Sequence, residues 1–298
     1  MSESTTGSAG GRPQVAAANS AVTETLAPAA SGSPATPVAL VTGGGNGIGA
    51  ALCAKLAATG HRVLVVDVDP EAAAKTAESC GGIAFLADVS DPKQNHAMVA
   101  HAVKRLGRLD IAVLNAGVSS DQPPDLPLDL ERYRRVLGVN VDGLAFGIDA
   151  TVPELARHAG RVLVTASLAG LGPDQANPLY ALTKSAAIGY VRAIAASLEP
   201  RGVSINALCP GFTDTAILGI TRRLIRKQGF PLLTPDDVAA AALTVLDTPG
   251  TGQAWTLVAG RPVRPFAFPS LPTTLMPDGS EARFRPFLSR APKKEDTP

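Results

Sequence analysis

The chain has 298 residues, 45% apolar, 18% charged and only 4% aromatic, and its 27 Lys and Arg against 26 Asp and Glu leave a net charge of +1. That length suits one large domain or two small ones, and the charge balance excludes a nucleic-acid-binding protein, which needs a basic excess for its phosphate contacts. No uncharged apolar run reaches the roughly 18 residues of a membrane-spanning helix, and Cys53, Cys80 and Cys209 fit neither a disulfide framework nor a zinc spacing.

Residues 1–37 are mostly Ala, Ser, Thr, Gly and Pro, with charges only at Glu3, Arg12 and Glu24. They bury too little apolar surface to offset chain entropy and are expected to form a disordered extension. From Val38 onward, short β-branched runs alternate with Ala-rich helical stretches. The runs are Val38–Thr42, Val63–Asp67, Ile83–Asp88, Ile111–Asn115, Arg161–Ser167, Val203–Leu208 and Ala254–Ala259. Most are continuously apolar, as strands buried on both faces should be. Between them the pattern predicts helices over Ala50–Thr59, Pro70–Ser79, Asp91–Leu106 and Tyr180–Leu198, with Asp69 as an N-cap before Pro70 and with stops at Gly60, Gly81 and Gly82. This alternation predicts an α/β fold: one doubly wound parallel sheet of about seven strands over residues 38–260. Residues 261–298 hold eight of the 25 prolines, together with Phe266, Phe268, Phe284 and Phe287, and are expected to be a Pro-rich tail packing on the body in places.

The first strand leads into Thr42-Gly43-Gly44-Gly45-Asn46-Gly47-Ile48-Gly49 and then a helix. Glycines there permit a tight turn and close approach to a pyrophosphate, and the helix N-terminus offers free N–H groups at the positive end of its dipole. Asp67, at the end of the second strand, can accept both ribose hydroxyls of NAD and repel the 2′-phosphate of NADP; the bland alternative makes it a helix cap. Asp88-Val89 ends the third strand where an adenine amino group could be met, although Asp88 could equally be a turn acid.

Only three tyrosines occur, Tyr133, Tyr180 and Tyr190. Tyr180 and Lys184, four apart at a helix start, share one face. A phenol of ordinary pKa near 10 is a poor base at neutral pH, and a neighbouring ammonium favours its phenolate. Ser167, thirteen residues earlier at the end of the fifth strand, could hold a substrate oxygen in line with that phenol.

The Thr-Gly-x-x-x-Gly-x-Gly loop, Asn115-Ala116-Gly117 and the Tyr180/Lys184 pair resemble the short-chain dehydrogenase/reductase family from about Val38 to Ala259. The resemblance implies a catalytic tetrad of Asn140, Ser167, Tyr180 and Lys184. In it, Asn140 bends a helix and holds a water, and Lys184 also holds the nicotinamide ribose. It further implies that Asn115 stabilises the sheet near the cofactor, that Pro210-Gly211 abuts the nicotinamide, and that Thr213 or Thr215 bonds its carboxamide. Within the family, Ser167-Leu168-Ala169-Gly170-Leu171 and Cys209-Pro210-Gly211-Phe212 resemble 15-hydroxyprostaglandin dehydrogenase-like members. Asn177 stands where those carry a glutamine that contacts the substrate hydroxyl, a departure by one methylene.

Substrate is expected beyond the carboxyl ends of the strands, among Val118–Leu128, Leu168–Leu179 and Phe212–Leu233. Leu168, Leu171, Leu179, Phe212, Ile217 and Leu218 make that region apolar and favour an apolar secondary alcohol or ketone, with Asn177 and Ser167 as polar contacts. Arg222, Arg223, Arg226 and Lys227 fall in the expected lid, either meeting an acidic substrate tail or membrane surface or forming a solvated helix face. The four histidines make no ligand spacing, so no metal is implied. The expected protein is an NAD-dependent oxidoreductase, cytoplasmic because its cysteines are unpaired and no secretory signal is visible. By resemblance it is a homodimer or homotetramer. The alternatives are an NADPH-dependent carbonyl reductase and, from another class, a nucleotide-binding scaffold or sensor without turnover.

Overall fold

Successive residues of β1 (Val38–Thr42) point to opposite faces of one sheet, and both faces are covered. Val38 and Leu40 join a cluster with Met98, Leu106, Leu144 and Val191, whereas Ala39 and Val41 join one with Leu52, Leu56 and Val238. That is why the run is apolar without alternating. The computed structural model describes residues 36–120, 127–219 and 221–282. The expected disordered extension, apart from its last two residues, lies outside them, as do 121–126 of the expected substrate region and the tail beyond 282 with Phe284 and Phe287.

In chain order β1 is followed by α1 (Gly47–Ala58), β2 (Arg62–Asp67), α2 (Pro70–Cys80), β3 (Ile83–Leu86), α3 (Pro92–Leu106) and β4 (Ile111–Leu114). Then come α4 (Leu130–Leu137), a π-helical turn (Gly138–Asp142), α5 (Gly143–Leu155), β5 (Arg161–Thr165), α6 (Pro178–Leu198) and β6 (Ser204–Pro210). The body closes with α7 (Thr221–Lys227), α8 (Pro235–Asp247) and β7 (Ala254–Leu257). The sheet order is β3-β2-β1-β4-β5-β6-β7, all parallel, in registers such as Leu40↔Leu64, Leu40↔Ala112 and Val164↔Ala207. Helices α1, α2 and α8 cover one face, and α3, α5 and α6 the other. The chain reverses direction across the sheet between β1 and β4, so the loops after these two strands diverge and open a crevice.

The seven apolar runs all form strands, shorter or longer than expected by a residue or two where the chain turns away past the last ladder bond. Asp69 caps α2, its Oδ1 accepting from Glu71 N and Ala72 N at 3.0 and 3.1 Å. Gly81 ends that helix in the left-handed region, at φ 63°. The sheet continues past Gly260, where the domain was expected to end. β8 (Arg264–Pro265) pairs antiparallel with β7, and Phe266 N donates to Ala254 O at 2.7 Å. An open β7 edge would leave its ladder groups unpaired, and proline is tolerated in β8 because β8 is itself an edge. Phe268 then packs on the core under the Arg192 guanidinium, 3.6 Å from its ring centroid. A two-stranded hairpin, β9 (Thr274–Leu275) with β10 (Glu281–Ala282), follows.

Candidate active site

The glycine loop is built by close approach. A Cβ on Gly49 would lie 1.9 Å from Gly43 O, and one on Gly45 would lie 2.9 Å from Asp67 Oδ2 and 2.8 Å from Ala72 Cβ. Neither position admits a side chain. Gly45 N donates to Asp67 Oδ2 at 2.8 Å, and Thr76 Oγ1 to Gly45 O at 2.9 Å, so β2 and α2 hold the loop. Asn46 occupies the cap position of α1 in extended backbone, but its side chain makes no capping bond. The first N–H groups of α1 therefore face the crevice uncapped, the arrangement that binds a phosphate. Ile48 packs inward against the core beside α1.

Asp67 is not the cap of α2; Asp69 is. The Asp67 carboxylate stands at the end of β2, accepting one backbone N–H on each oxygen, from Gly45 and from Asp69 at 3.1 Å. Each oxygen keeps a free lone pair for a hydroxyl. Asp88 forms a turn with Ser90, taking Ser90 N at 2.9 Å and Ser90 Oγ at 2.7 Å on Oδ1, and Val89 is buried against Gly143. Asn115 ties β4 to β1, its Nδ2 donating to Thr42 O and Gly43 O, both at 3.1 Å.

Pro210 ends β6, and Gly211 N donates to Leu257 O at 2.8 Å. The two threonines beyond differ. Thr213 is buried with its hydroxyl donating to Gly211 O at 3.1 Å, while the Thr215 hydroxyl is buried without a partner among the described residues. Thr215 also lies across the crevice from Gly47, where an added methyl would stand 3.2 Å from its Cγ2. Uncapped helix N–H groups, a carboxylate at the end of β2 and an orphaned hydroxyl opposite the loop together suit a nicotinamide dinucleotide.

At the far end of the crevice, Ser167, Tyr180, Lys184 and Asn140 come together. Ser167 follows β5, its Oγ accepting from Ala169 N at 3.2 Å, and it stands beside the Tyr180 phenol. Burial pushes that phenol up to about 12, the Ser167 side chain pulls it down, and the Asp174 charge raises it further. Lys184 sits one turn along α6, fully enclosed, with Nζ 5.5 Å from the Tyr180 ring centroid and donating to Thr165 O at 2.8 Å. Burial lowers this ammonium to about 8. Behind it, burial raises the Cys209 thiol to about 12, against the pull of Lys184 and of a bond from Ser167 backbone. Cys209 is fully buried in the core.

Asn140, expected to bend a helix, lies in the π-helical turn between α4 and α5; such wide turns occur at functional sites. Its side chain brackets Val118, taking Val118 N at 2.8 Å and giving to Val118 O at 2.9 Å, and it donates to Thr183 Oγ1 at 3.0 Å. Both amide protons are thus occupied, leaving one lone pair on Oδ1 for a water. Asn140 Oδ1 and Lys184 Nζ both face the point where a Cβ on Gly117 would stand, at 3.4 and 3.3 Å. Beside them a cavity of about 10 Å³, lined by Asn140, Thr165 and Lys184 among others, has room for about one water. Thr183 was missed in the sequence because a threonine inside a helix carries no signal of a partner from another element.

On the substrate side, Leu168 and Leu171 pack partly into the core, while Phe212, Ile217, Leu224 and Phe230 are exposed. Asn177 caps α6, and its amide is engaged with Ser119 and Ser120. The cationic run of α7 is partly neutralised: Arg222 Nε and Arg226 Nη2 pair with the two oxygens of Asp214 at 2.9 and 2.6 Å. Two of the four cations thus fasten the lid to the segment after β6. No local pattern announces this tie, because Asp214 is eight and twelve residues away across a turn. Among the described residues no His, Cys, Asp and Glu cluster could hold a metal, and no helix is long and apolar enough to cross a membrane.

Residues 37–223 match the family model of short chain dehydrogenases. The chain is 35% identical over 194 residues to mouse (Mus musculus) 15-hydroxyprostaglandin dehydrogenase [NAD(+)], covering 61% of this chain and 69% of that one. Its fold superposes on a 3-ketoacyl-(acyl-carrier-protein) reductase from Brucella melitensis complexed with NADH, with a TM-score of 0.70 and 30% identity over 76% of this chain and 98% of that one. It also superposes on a 7α-hydroxysteroid dehydrogenase complexed with NADH and 7-oxo glycochenodeoxycholic acid, with a TM-score of 0.69 and 28% identity over 76% and 94% of the two chains. The chain belongs to the short-chain dehydrogenase family: it is an oxidoreductase that moves hydride between a nicotinamide dinucleotide and an alcohol or ketone.

Proposed function

We propose that the protein is an NAD-dependent dehydrogenase of apolar secondary alcohols, working through Tyr180, Ser167, Lys184 and Asn140. The observation that carries this reading is the half-buried Tyr180 phenol set beside Ser167, which lowers its pKa, with the Lys184 ammonium 5.5 Å from its ring. In oxidation the Tyr180 phenolate removes the hydroxyl proton of the alcohol, and Ser167 donates to the same oxygen and fixes it in line. Lys184 stabilises the phenolate by charge from a buried position, and the Asn140 turn keeps the loop after β4 against α6. NAD, when bound, supplies the acceptor for the hydride leaving the carbinol carbon. In reduction the neutral Tyr180 phenol returns the proton. Gly43, Asn46, Gly47, Ile48 and Gly49 would hold the pyrophosphate, and Asp67 the adenosine ribose. Asp88 and Val89 would meet the adenine, and Lys184, Pro210, Gly211 and Thr215 the nicotinamide end. Thr215 is favoured over Thr213 because only its hydroxyl lacks a partner.

The preference for NAD rests on Asp67. Its carboxylate would repel a 2′-phosphate on a ribose held there, and the loop from Gly43 to Gly49 contains no lysine or arginine. Like charges so placed cost several kcal/mol. NAD is expected to bind about tenfold or more tighter than NADP, and Asp67→Ser to close most of that gap, as read by calorimetry with each cofactor. Tighter binding of NADP by the unaltered protein would instead select the carbonyl-reductase alternative.

An apolar substrate is supported by the lining (Leu168, Leu171, Phe212, Ile217) and by relatives named for hydroxyprostaglandin and hydroxysteroid substrates. With two of its cations held by Asp214, the lid is a weaker candidate for gripping an acidic tail than its sequence implied. All three cysteines are free, which supports a reducing compartment such as the cytoplasm. An oligomer is supported by the outer face of α6: Leu182, Ser185, Ala186, Gly189, Tyr190, Ala193 and Ala196 lie on the surface. From Ser185 to Ser197 the single charge is Arg192, itself stacked on Phe268. Sedimentation is expected to give two or four chains, and Ala193→Arg to give monomers. A monomeric unaltered protein would remove this part of the reading.

A further inference from the structure

Asn177 stands where the resemblance places a glutamine in contact with the substrate hydroxyl, yet its side chain is turned the other way. Its Oδ1 accepts from Tyr180 N at 3.2 Å, capping α6 on the backbone of the proposed catalytic residue itself. The same oxygen accepts a short bond from Ser120 Oγ at 2.5 Å, and Nδ2 donates to Ser119 Oγ at 2.8 Å. Asn177 is fastened from its own side as well, since Asp174 Oδ1 accepts from Asn177 N at 3.2 Å. Ser120 is almost completely buried, and Arg132 of α4 donates to Ser120 O at 3.0 Å. Val118, two residues earlier, is bracketed by Asn140. The segment leaving β4 is thus bonded in turn to the π-helical turn, to α4 and to the start of α6, and Asn177 makes the last of these ties.

We infer that Asn177 is a positioning residue that locks the first turn of α6, and with it the Tyr180 phenol, to Ser119 and Ser120, and that it does not recognise the substrate hydroxyl. The side-chain length decides this. Asparagine is a strong N-cap because its short amide reaches back to the N–H three residues on, whereas glutamine is one methylene too long for that geometry and projects into the space in front of the helix. With the amide held in the tie, Asn177 offers the substrate no polar anchor, so the bound alcohol is held at Ser167 and Tyr180 and otherwise by apolar contact. Phenol and substrate oxygen must stay within hydrogen-bond reach for proton transfer, so a loosened helix start lowers the chemical step and leaves binding nearly intact.

The inference rests on Tyr180 being the proton acceptor, so the experiment begins with turnover of the unaltered enzyme on a secondary alcohol; inactivity there defeats the proposed function and not the role of Asn177. In an active enzyme, Asn177→Ala is expected to lower kcat about tenfold or more while KM for the alcohol changes by less than about threefold. Asn177→Ser restores a cap and is expected to recover part of kcat. Asn177→Asp restores the cap but sets a carboxylate at the backbone of Tyr180, so its oxidation profile should move to higher pH. Ser119→Ala leaves α6 untouched and should lower kcat in the same sense. Combined with Asn177→Ala it should add less than its separate effect, because both break one tie. This pair keeps the test valid if Asn177→Ala folds poorly. Unchanged kcat in both single variants would overturn the inference. So would a loss lying wholly in KM for the alcohol, the mark of direct substrate contact.

Discussion

Tyr180→Phe is expected to lower kcat for alcohol oxidation by about a thousandfold or more while leaving the dissociation constant of NAD within a few-fold. Phenylalanine keeps the ring and its packing and removes only the phenol oxygen beside Ser167. The loss therefore reports proton transfer and not cavity formation. The pH dependence has a defined sign. Oxidation needs the phenolate, and burial holds the phenol up at about 12 in the protein alone. The rate of oxidation should thus rise with pH through the alkaline range, and the rate of ketone reduction, which needs the neutral phenol, should fall over the same range. A Tyr180→Phe enzyme with near-normal turnover would remove the mechanism, and a pH profile rising toward acid for oxidation would reverse its proton bookkeeping.

Lys184→Met is expected to abolish most turnover and yet leave the cofactor-free protein as stable as before or more so. Lys184 is enclosed, and burial brings its ammonium from the ordinary lysine value of 10.5 down to about 8. A folded-state value below the unfolded one means that folding weakens proton binding. The resulting penalty is absent above about pH 10.5, grows as pH falls toward 8, and is fully present at neutral pH. Its size is on the order of 3 kcal/mol, offset by about 1 kcal/mol for the bond to Thr165 O that methionine cannot make. Methionine fills similar volume without charge, so the thermal midpoint at pH 7 should rise by about 2 to 6 °C. The gain should vanish above pH 10. Turnover should fall by about a hundredfold or more, because the phenolate loses its neighbouring cation. A lower midpoint at pH 7 would contradict the burial argument, and retained turnover would contradict the role of the ammonium.

The two results together describe a site that burdens the fold in order to do chemistry. The folded body supplies the burial that raises the phenol and lowers the ammonium, and the Asn140 turn and the Asn177 cap hold both groups against the loop after β4.

What the sequence reveals follows the range of each interaction. Val38–Thr42, the glycine loop and Asp67 could be recognised because a buried strand, a tight turn and a helix start each leave a local pattern. The pairing of Tyr180 with Lys184 was legible for the same reason, since one helical turn separates them. Asp67 as something other than a cap was decided only by seeing Asp69 take Glu71 N and Ala72 N. The choice between Thr213 and Thr215 needed the fold, because it depends on which hydroxyl finds a partner. The bonds from Asn140 to Val118 and Thr183, the Asp214 tie to α7 and the Asn177 tie to Ser119 and Ser120 join elements distant in sequence, and no periodicity announces them. β8 was hidden for another reason: Pro265 argues against a strand everywhere except at an edge.

The central claim, hydride transfer from an apolar secondary alcohol to NAD under control of Tyr180, is tested most directly by following NADH absorbance across a panel of secondary alcohols of increasing apolar size at several pH values. The account predicts NADH formation that rises with pH, favours the larger apolar alcohols over polyols and hydroxy acids, and disappears in Tyr180→Phe. It would be contradicted by a protein that binds NAD, shown by calorimetry, yet forms no NADH with any alcohol and consumes none with the matching ketones, as a nucleotide-binding scaffold would behave.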